Sequence, residues 1–291
     1  MTKPVNGITH MDHPVYAVAS LDEARITWEK LGFTVPPRGS HIEWGTGNLC
    51  IMFQDDYLEM RGIIDPDRFL MHLEEHLALF GEGLMGTAFA TDDVHSSYHE
   101  LIEKGVDVAK PRHLTRNFEL PEGWTKPSFE LCVPAADAIE GLMHIVVIQH
   151  LTPELTRQPD FLVHANSATG VASLSGVIFD VQSVATKMRR LFGDSAIQQD
   201  QSSVEITLPS RQRISLLLED TFAAKFGARP ATTGKPTLGA IDVRVADLAA
   251  TAETLQTNGV PYQTIADDKL RIGETYASGS ILEFSEQPAD Q

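Results

Sequence analysis

HPVYAVASLDEARITWEKLG, residues 13–32, begins with the two-residue periodicity of a strand, passes a serine suited to cap a helix, and ends on a glycine suited to stop one. The same order recurs, without a gap, in GTAFATDDVHSSYHELIEKG (86–105), LSGVIFDVQSVATKMRRLFG (174–193) and AIDVRVADLAATAETLQTNG (240–259). The predicted caps are Ser20, Asp93, Gln182 and Asp247, and the predicted stops are Gly32, Gly105, Gly193 and Gly259. Strand-like runs follow each glycine: FTVPP, HIEW, LCIMF and YLEMRGI after the first, and PYQTI, LRIGE and SILEFSE after the fourth. The repeating unit therefore reads β-α-β-β-β. One such unit cannot cover both faces of its sheet, so four units predict two cups, each built from a pair.

The predicted class is α+β, with four βαβββ modules paired into two cups of mixed β-sheet with flanking helices. The N-terminal domain spans 1–152, with modules at 10–63 and 84–152 joined by a helical linker at 65–81. A Pro-rich, polar linker at 153–170 leads into a C-terminal domain at 171–291, with modules at 171–220 and 236–286.

In 291 residues, 42% are apolar and 22% charged, the composition of a globular protein with a sizeable core. A net charge of −17 argues against nucleic acid and anionic membranes as partners, since both require clustered Lys and Arg. MTKPVNGITH lacks the apolar stretch of a signal peptide, and no apolar run approaches a membrane span. Cys50 and Cys132 lie in apolar runs and read as buried free thiols, which fits a cytoplasmic location. Two short motifs are set aside. HLEEH (72–76) has the spacing of an inverted zinc-protease helix but reads as part of the linker helix, and GEGLMG (81–86) follows a helix instead of opening one.

MDHPVYAV (11–18) predicts His13, Val15 and Ala17 on one strand face, with Asp12, Pro14 and Tyr16 on the other. An imidazole in line with small apolar residues is either a hydrogen-bonded core histidine or a group facing a cup. With the segments PRGSHIEWGTGNL and DDYLEMRGI, this strand resembles the glyoxalase-like branch of the vicinal oxygen chelate superfamily. Members of that superfamily typically hold a divalent metal on the floor of such a cup, between the first and last strands of each module. They include lyases, isomerases, epimerases, extradiol dioxygenases and resistance proteins, and some bind ligands without metal.

The resemblance implies a divalent ion (Fe, Mn or Zn) held by His13 from the first strand, Glu59 from the last, and a third residue. In GLMHIVVIQH, both His144 and His150 share the face that would reach the floor; His150 is the preferred ligand, with His144 and Gln149 contacting substrate. His41 is expected to act in acid–base chemistry beside Glu59, Asn48 to make polar contacts, and Trp44 and Tyr57 to form the wall. The positions matching His13 in the other modules are Gly86, Leu174 and Ala240, so Glu283, which matches Glu59, has no imidazole partner and the C-terminal cup is expected to hold no metal. The implied function is a metal-dependent lyase or isomerase that acts on a small vicinally oxygenated substrate through a stabilised enolate. A ring-cleaving Fe(II) dioxygenase and a metal-free small-molecule binding protein are the alternatives. Paired-module proteins often dimerise, so a homodimer is a possible assembly.

Overall fold

The computed structural model describes residues 4–120, 123–135, 144–228, 230 and 234–286. The first sheet is built from β1 (Ile8–Ala17), β2 (Gly39–His41), β3 (Thr46–Met52), β4 (Tyr57–Ile63), β5 (Gly83–Thr91), β6 (Arg112–Leu120), β7 (Gly123–Thr125), β8 (Ser128–Cys132) and β9 (Ile145–His150). The second comprises β10 (Ala168–Ile178), β11 (Ile197–Gln199), β12 (Ser203–Thr207), β13 (Arg213–Leu218), β14 (Thr237–Val245), β15 (Gln263–Ala266), β16 (Lys269–Ile272) and β17 (Ile281–Glu286). The helices are α1 (Leu21–Lys30), α2 (Leu73–Phe80), α3 (Val94–Glu103), α4 (Val181–Phe192), α5 (Glu219–Phe226) and α6 (Leu248–Thr257). None is long and apolar enough to cross a membrane.

Each sheet joins two modules through their first strands. β1 runs antiparallel to β5 and parallel to β4; β10 and β14 repeat the arrangement with β13 and β17. In the first sheet β2 also pairs with β6, Ser40 opposite Asn117 and His41 opposite Arg116, which closes that cup on itself. The faces turned away from the cups meet, with α1, α3, α4 and α6, in one apolar core. Its seam includes Phe33 against Phe284 and Phe89 against Phe192, with ring centroids 5.8 and 4.9 Å apart.

Ser20, Asp93 and Asp247 cap their helices as the repeat predicts, accepting from the N–H of Glu23, Ser96 and Ala250. In the third module the cap is Asp180, not Gln182. Its short carboxylate accepts the Ser183 N–H, and α4 starts at Val181. The gapless stacking therefore slips by one there: Leu174 joins the core and Ser173 takes the place of His13. The linker helix is also shorter than its periodicity implies. Residues before Leu73 turn, with Met71 and His72 at φ 54° and 62°.

A bulge on β1 corrects the reading of MDHPVYAV. Met11 pairs with Phe89 and His13 with the next residue, Ala88, leaving Asp12 as the extra residue. Met11 and Tyr16 both enter the core, while Val15 and Ala17 pack under Leu73 of α2. With one residue inserted, Asp12 and His13 both face the cup, whereas strict alternation would have placed Asp12 opposite.

The two cups differ. α5 lays Phe222 and Phe226 over Val177, Ala240 and Ile281 in the C-terminal cup. There Glu283 is held by Arg271 at 2.6 Å and Lys269 at 3.2 Å, a carboxylate already supplied with cations. Gln212 ties the cups together: its amide pairs with the backbone N–H and C=O of Met11 and donates to Asp56.

Candidate active site

The N-terminal cup gathers its polar side chains by strand alternation. On β4, Tyr57, Glu59 and Arg61 face inward while Leu58 and Met60 enter the core. β3 lies antiparallel to β4, with Cys50 opposite Glu59 and Asn48 opposite Arg61. The closing β2–β6 pair supplies His41 and Arg116, β8 supplies Phe129 and Leu131, and β9 supplies Val146, Ile148 and His150.

Glu59 is the hub. Its Oε2 accepts from Arg61 at 2.6 Å, its Oε1 accepts from Asn48 at 2.8 Å, and the Nε2 atoms of His13 and His41 lie 3.5 and 3.7 Å from its oxygens. Burial alone would raise its pKa; the Arg61 guanidinium, helped by both imidazoles, holds it well below the usual carboxylate range. His13 stacks on Tyr57 at 4.2 Å and directs Nδ1 at the Asp12 carboxylate, 2.6 Å away. Burial pulls its pKa down, but Asp12 and Glu59 more than offset this and raise it. His41 contrasts with it. Its Nδ1 faces the backbone carbonyl and hydroxyl of Thr46, at 3.2 and 2.8 Å, and burial, with Arg61 and Arg116 adding to it against Glu59, lowers its pKa to about 4.

The structure thus brings His13, His41, Trp44, Asn48, Tyr57, Glu59 and His150 to one chamber. It does not bring His144 or Gln149 there. Gln149 lies on the opposite face of β9 from Ile148 and His150, and its Oε1 accepts the Val94 N–H at the start of α3. His144 precedes β9, so the strand's alternation does not direct it; it lies over Gly86, where an added Cβ would come within 2.5 Å of the His144 Cβ. His150 borders the chamber, but its Nε2 is 3.1 Å from Asp12, beside His13. Asp12, Arg61 and Arg116 escaped the sequence reading. Arg61 carried a signal, lying two residues beyond Glu59 on the same strand face; Arg116 lies in no motif, and Asp12 reaches the cup only through the bulge.

Do these residues fit a divalent ion? One feature favours it: His13 and His41 each carry their second ring nitrogen on an oxygen, the backing that metal-ligating imidazoles have. The donor set argues otherwise. Both Glu59 oxygens are engaged, one by a guanidinium at hydrogen-bond distance, and a second guanidinium lines the same chamber. His150, the expected third ligand, is turned to Asp12. Among the described residues, no three His, Cys, Asp or Glu side chains are arranged as a group that could hold an ion. As arranged, the residues do not fit the metal.

The chamber's free volume is about 30 Å³, room for a water or one small functional group. His150 and Ile148 separate it from a polar cleft of about 640 Å³ between the two sheets, bordered also by Asp12, Asp56, Gln212 and Arg244. Cys50 stays a thiol, burial pushing its pKa up to about 11.

The chain is similar in structure to a hypothetical protein from Staphylococcus aureus, with a TM-score of 0.67 at 11% identity over 95% of this chain and 99% of the other. It is similar to a mutant 4-hydroxymandelate synthase from Streptomyces coelicolor, with a TM-score of 0.65 at 12% identity over 98% and 94%. It also resembles a fusion of a xylose isomerase-like TIM barrel with 4-hydroxyphenylpyruvate dioxygenase, with a TM-score of 0.62 at 12% identity over 99% of this chain and 50% of that one. At such identities the likeness shows the fold alone. No curated protein matches the sequence. The model of the glyoxalase-like domain family, however, matches residues 11–192, which cover the first sheet beyond its opening residues and run on through α4. By that match, and by two cups of paired βαβββ modules, the chain belongs to the glyoxalase-like domain family.

Proposed function

We propose that the N-terminal cup catalyses proton transfer at a carbon next to a carbonyl in a small oxygenated compound, as an isomerase or lyase. The observation that carries this reading is a pair of imidazoles facing one carboxylate, one with a second carboxylate at its other ring nitrogen and one with the Thr46 carbonyl and hydroxyl there. His13 has a carboxylate at each ring nitrogen, Asp12 2.6 Å from Nδ1 and Glu59 3.5 Å from Nε2, which together favour its imidazolium form. His41 has the Thr46 carbonyl and hydroxyl at Nδ1; in the tautomer that donates Nδ1–H to the carbonyl, Nε2 carries a lone pair. Pairs whose surroundings push their pKa values apart divide into acid and base. His41 accepts the proton from carbon, and the freed electron pair moves onto the carbonyl oxygen. There the His13 imidazolium stabilises the charge or supplies a proton. In an α-hydroxy compound, returning the proton to the former carbonyl carbon while the hydroxyl gives up its own proton to become the new carbonyl gives isomerisation; expelling a leaving group from the β-carbon instead gives a lyase. Glu59 keeps both rings in place and His13 charged.

The competing reading is the divalent ion (Fe, Mn or Zn), favoured by the oxygen backing of both imidazoles; it would require Arg61 to leave Glu59. The test is deuterium exchange of α-protons in a panel of small hydroxy- and oxo-compounds, followed by NMR with chelator-treated protein. Exchange in at least one compound is expected, falling about 100-fold or more in His41→Ala. Exchange that appears only when a divalent ion is added would overturn the reading, as would exchange unchanged in His41→Ala.

A further inference from the structure

Arg116 is a buried cation, 4% exposed, that touches no described carboxylate; Glu59, already bound to Arg61, favours its charge only from a distance. The other charges there are matched at close range: Glu59 with Arg61 at 2.6 Å, and Asp12 with His13 at 2.6 Å. Among the described residues, no carboxylate makes an ion pair with Arg116. Its Nη1 is 2.8 Å from the Cys50 thiol, its Nε is buried without a partner, and its guanidinium lies 5.2 Å from the centroid of the Phe118 ring. A neutral thiol, an aromatic face and a carboxylate already shared with Arg61 compensate a buried cation only in part, and a buried charge without a close partner is costly. The asymmetry stands out further in a chain of net charge −17, where acidic partners are plentiful.

From this we infer that the chamber takes a ligand with a single negative charge, and that Arg116 receives it: the substrate is a small monocarboxylate. A guanidinium fork matches the two oxygens of a planar carboxylate. The inference deepens the proton-transfer reading, on which it rests for the site, for the carbon that reacts and for the charge on His13 that matches Asp12.

The test is calorimetric titration of the full chain with glycolate and with its uncharged counterpart glycolamide, on wild type, Arg116→Met and Arg116→Lys, with chloride as a control. Glycolate is expected to bind at least tenfold more tightly than glycolamide. Arg116→Met should lose that preference, while Arg116→Lys, which keeps the charge without the fork, should retain part of it. The free Arg116→Met protein should melt a few degrees above wild type, since it loses a buried charge that lacks a partner; this is a shift of about 2–4 °C. Glycolamide binding as tightly as glycolate, glycolate binding unchanged in Arg116→Met, chloride matching glycolate, or a lower melting temperature in Arg116→Met would each overturn the inference. Binding is read without turnover, so the two readings fail separately. Absent proton exchange with intact glycolate selectivity sinks only the catalytic reading, and His41-dependent exchange on a ligand that ignores Arg116 sinks only this one.

Discussion

Glu59→Gln is expected to abolish α-proton exchange and to lower the stability of the folded chain by about 3 kcal/mol or more. Both effects have one origin. The carboxylate is 2% exposed and is the anion beside Arg61, so the neutral amide leaves a buried guanidinium without its partner. It also removes the group that holds His13 charged and faces His41 across the chamber. Urea unfolding reads the first effect and NMR-detected exchange the second. A variant as stable as wild type would mean that Arg61 finds another anion, and undiminished exchange would remove Glu59 from the mechanism. The acid limb of stability carries the same information. Glu59 and Asp12 have folded pKa values depressed below their unfolded values, near 4. Their contribution is fully present above pH 4 and drains away as pH falls through the folded values. Glu59→Gln should therefore flatten the loss of stability below pH 4.

Arg61→Met is expected to bind a divalent ion far more tightly than the wild type. Arg61 occupies Glu59 Oε2 at 2.6 Å, and removing it leaves a carboxylate facing two imidazole nitrogens that are backed by Asp12 and Thr46. That set, two histidines and one carboxylate with further positions open, suits Fe(II), Mn(II) or Zn(II). Zinc titration followed by elemental analysis should give about one equivalent in the variant and, in wild type, an affinity lower by two orders of magnitude or more. Part of this gain comes from removing a cation that opposes a second cation nearby. Equal zinc uptake in both proteins would show that Arg61 does not exclude the ion.

How much of this was legible in the sequence differs between fold and site. The modules were readable because a strand, a cap and a glycine stop at fixed spacing are local signals; Ser20, Asp93 and Asp247 cap where the spacing puts them. The third module slipped because a polar residue two positions past the true cap looks equivalent in a one-dimensional alignment. His13, Glu59, Asn48 and His41 could be nominated from the first module because short strands bring them together. What decides their chemistry was not local. Asp12 faces the cup through a bulge that strand alternation hides, Arg116 arrives from a strand of the second module, and His150 turns to Asp12 because the bulge presents that carboxylate. The engagement of Glu59 was hidden for the same reason: a family resemblance assigns ligand positions, whereas Arg61 acts through the atom it touches.

The central claim is that the cup operates with charged side chains, His13 as imidazolium and His41 as a neutral base. The most direct measurement is the nitrogen NMR spectrum of both imidazoles in chelator-treated wild type at neutral pH, before and after one equivalent of zinc. Two protonated nitrogens on His13, a protonated Nδ1 and bare Nε2 on His41, and signals that zinc leaves unchanged are the expected result. Two neutral rings, each with a bare Nε2 that shifts to a metal-bound position with one equivalent, would contradict it.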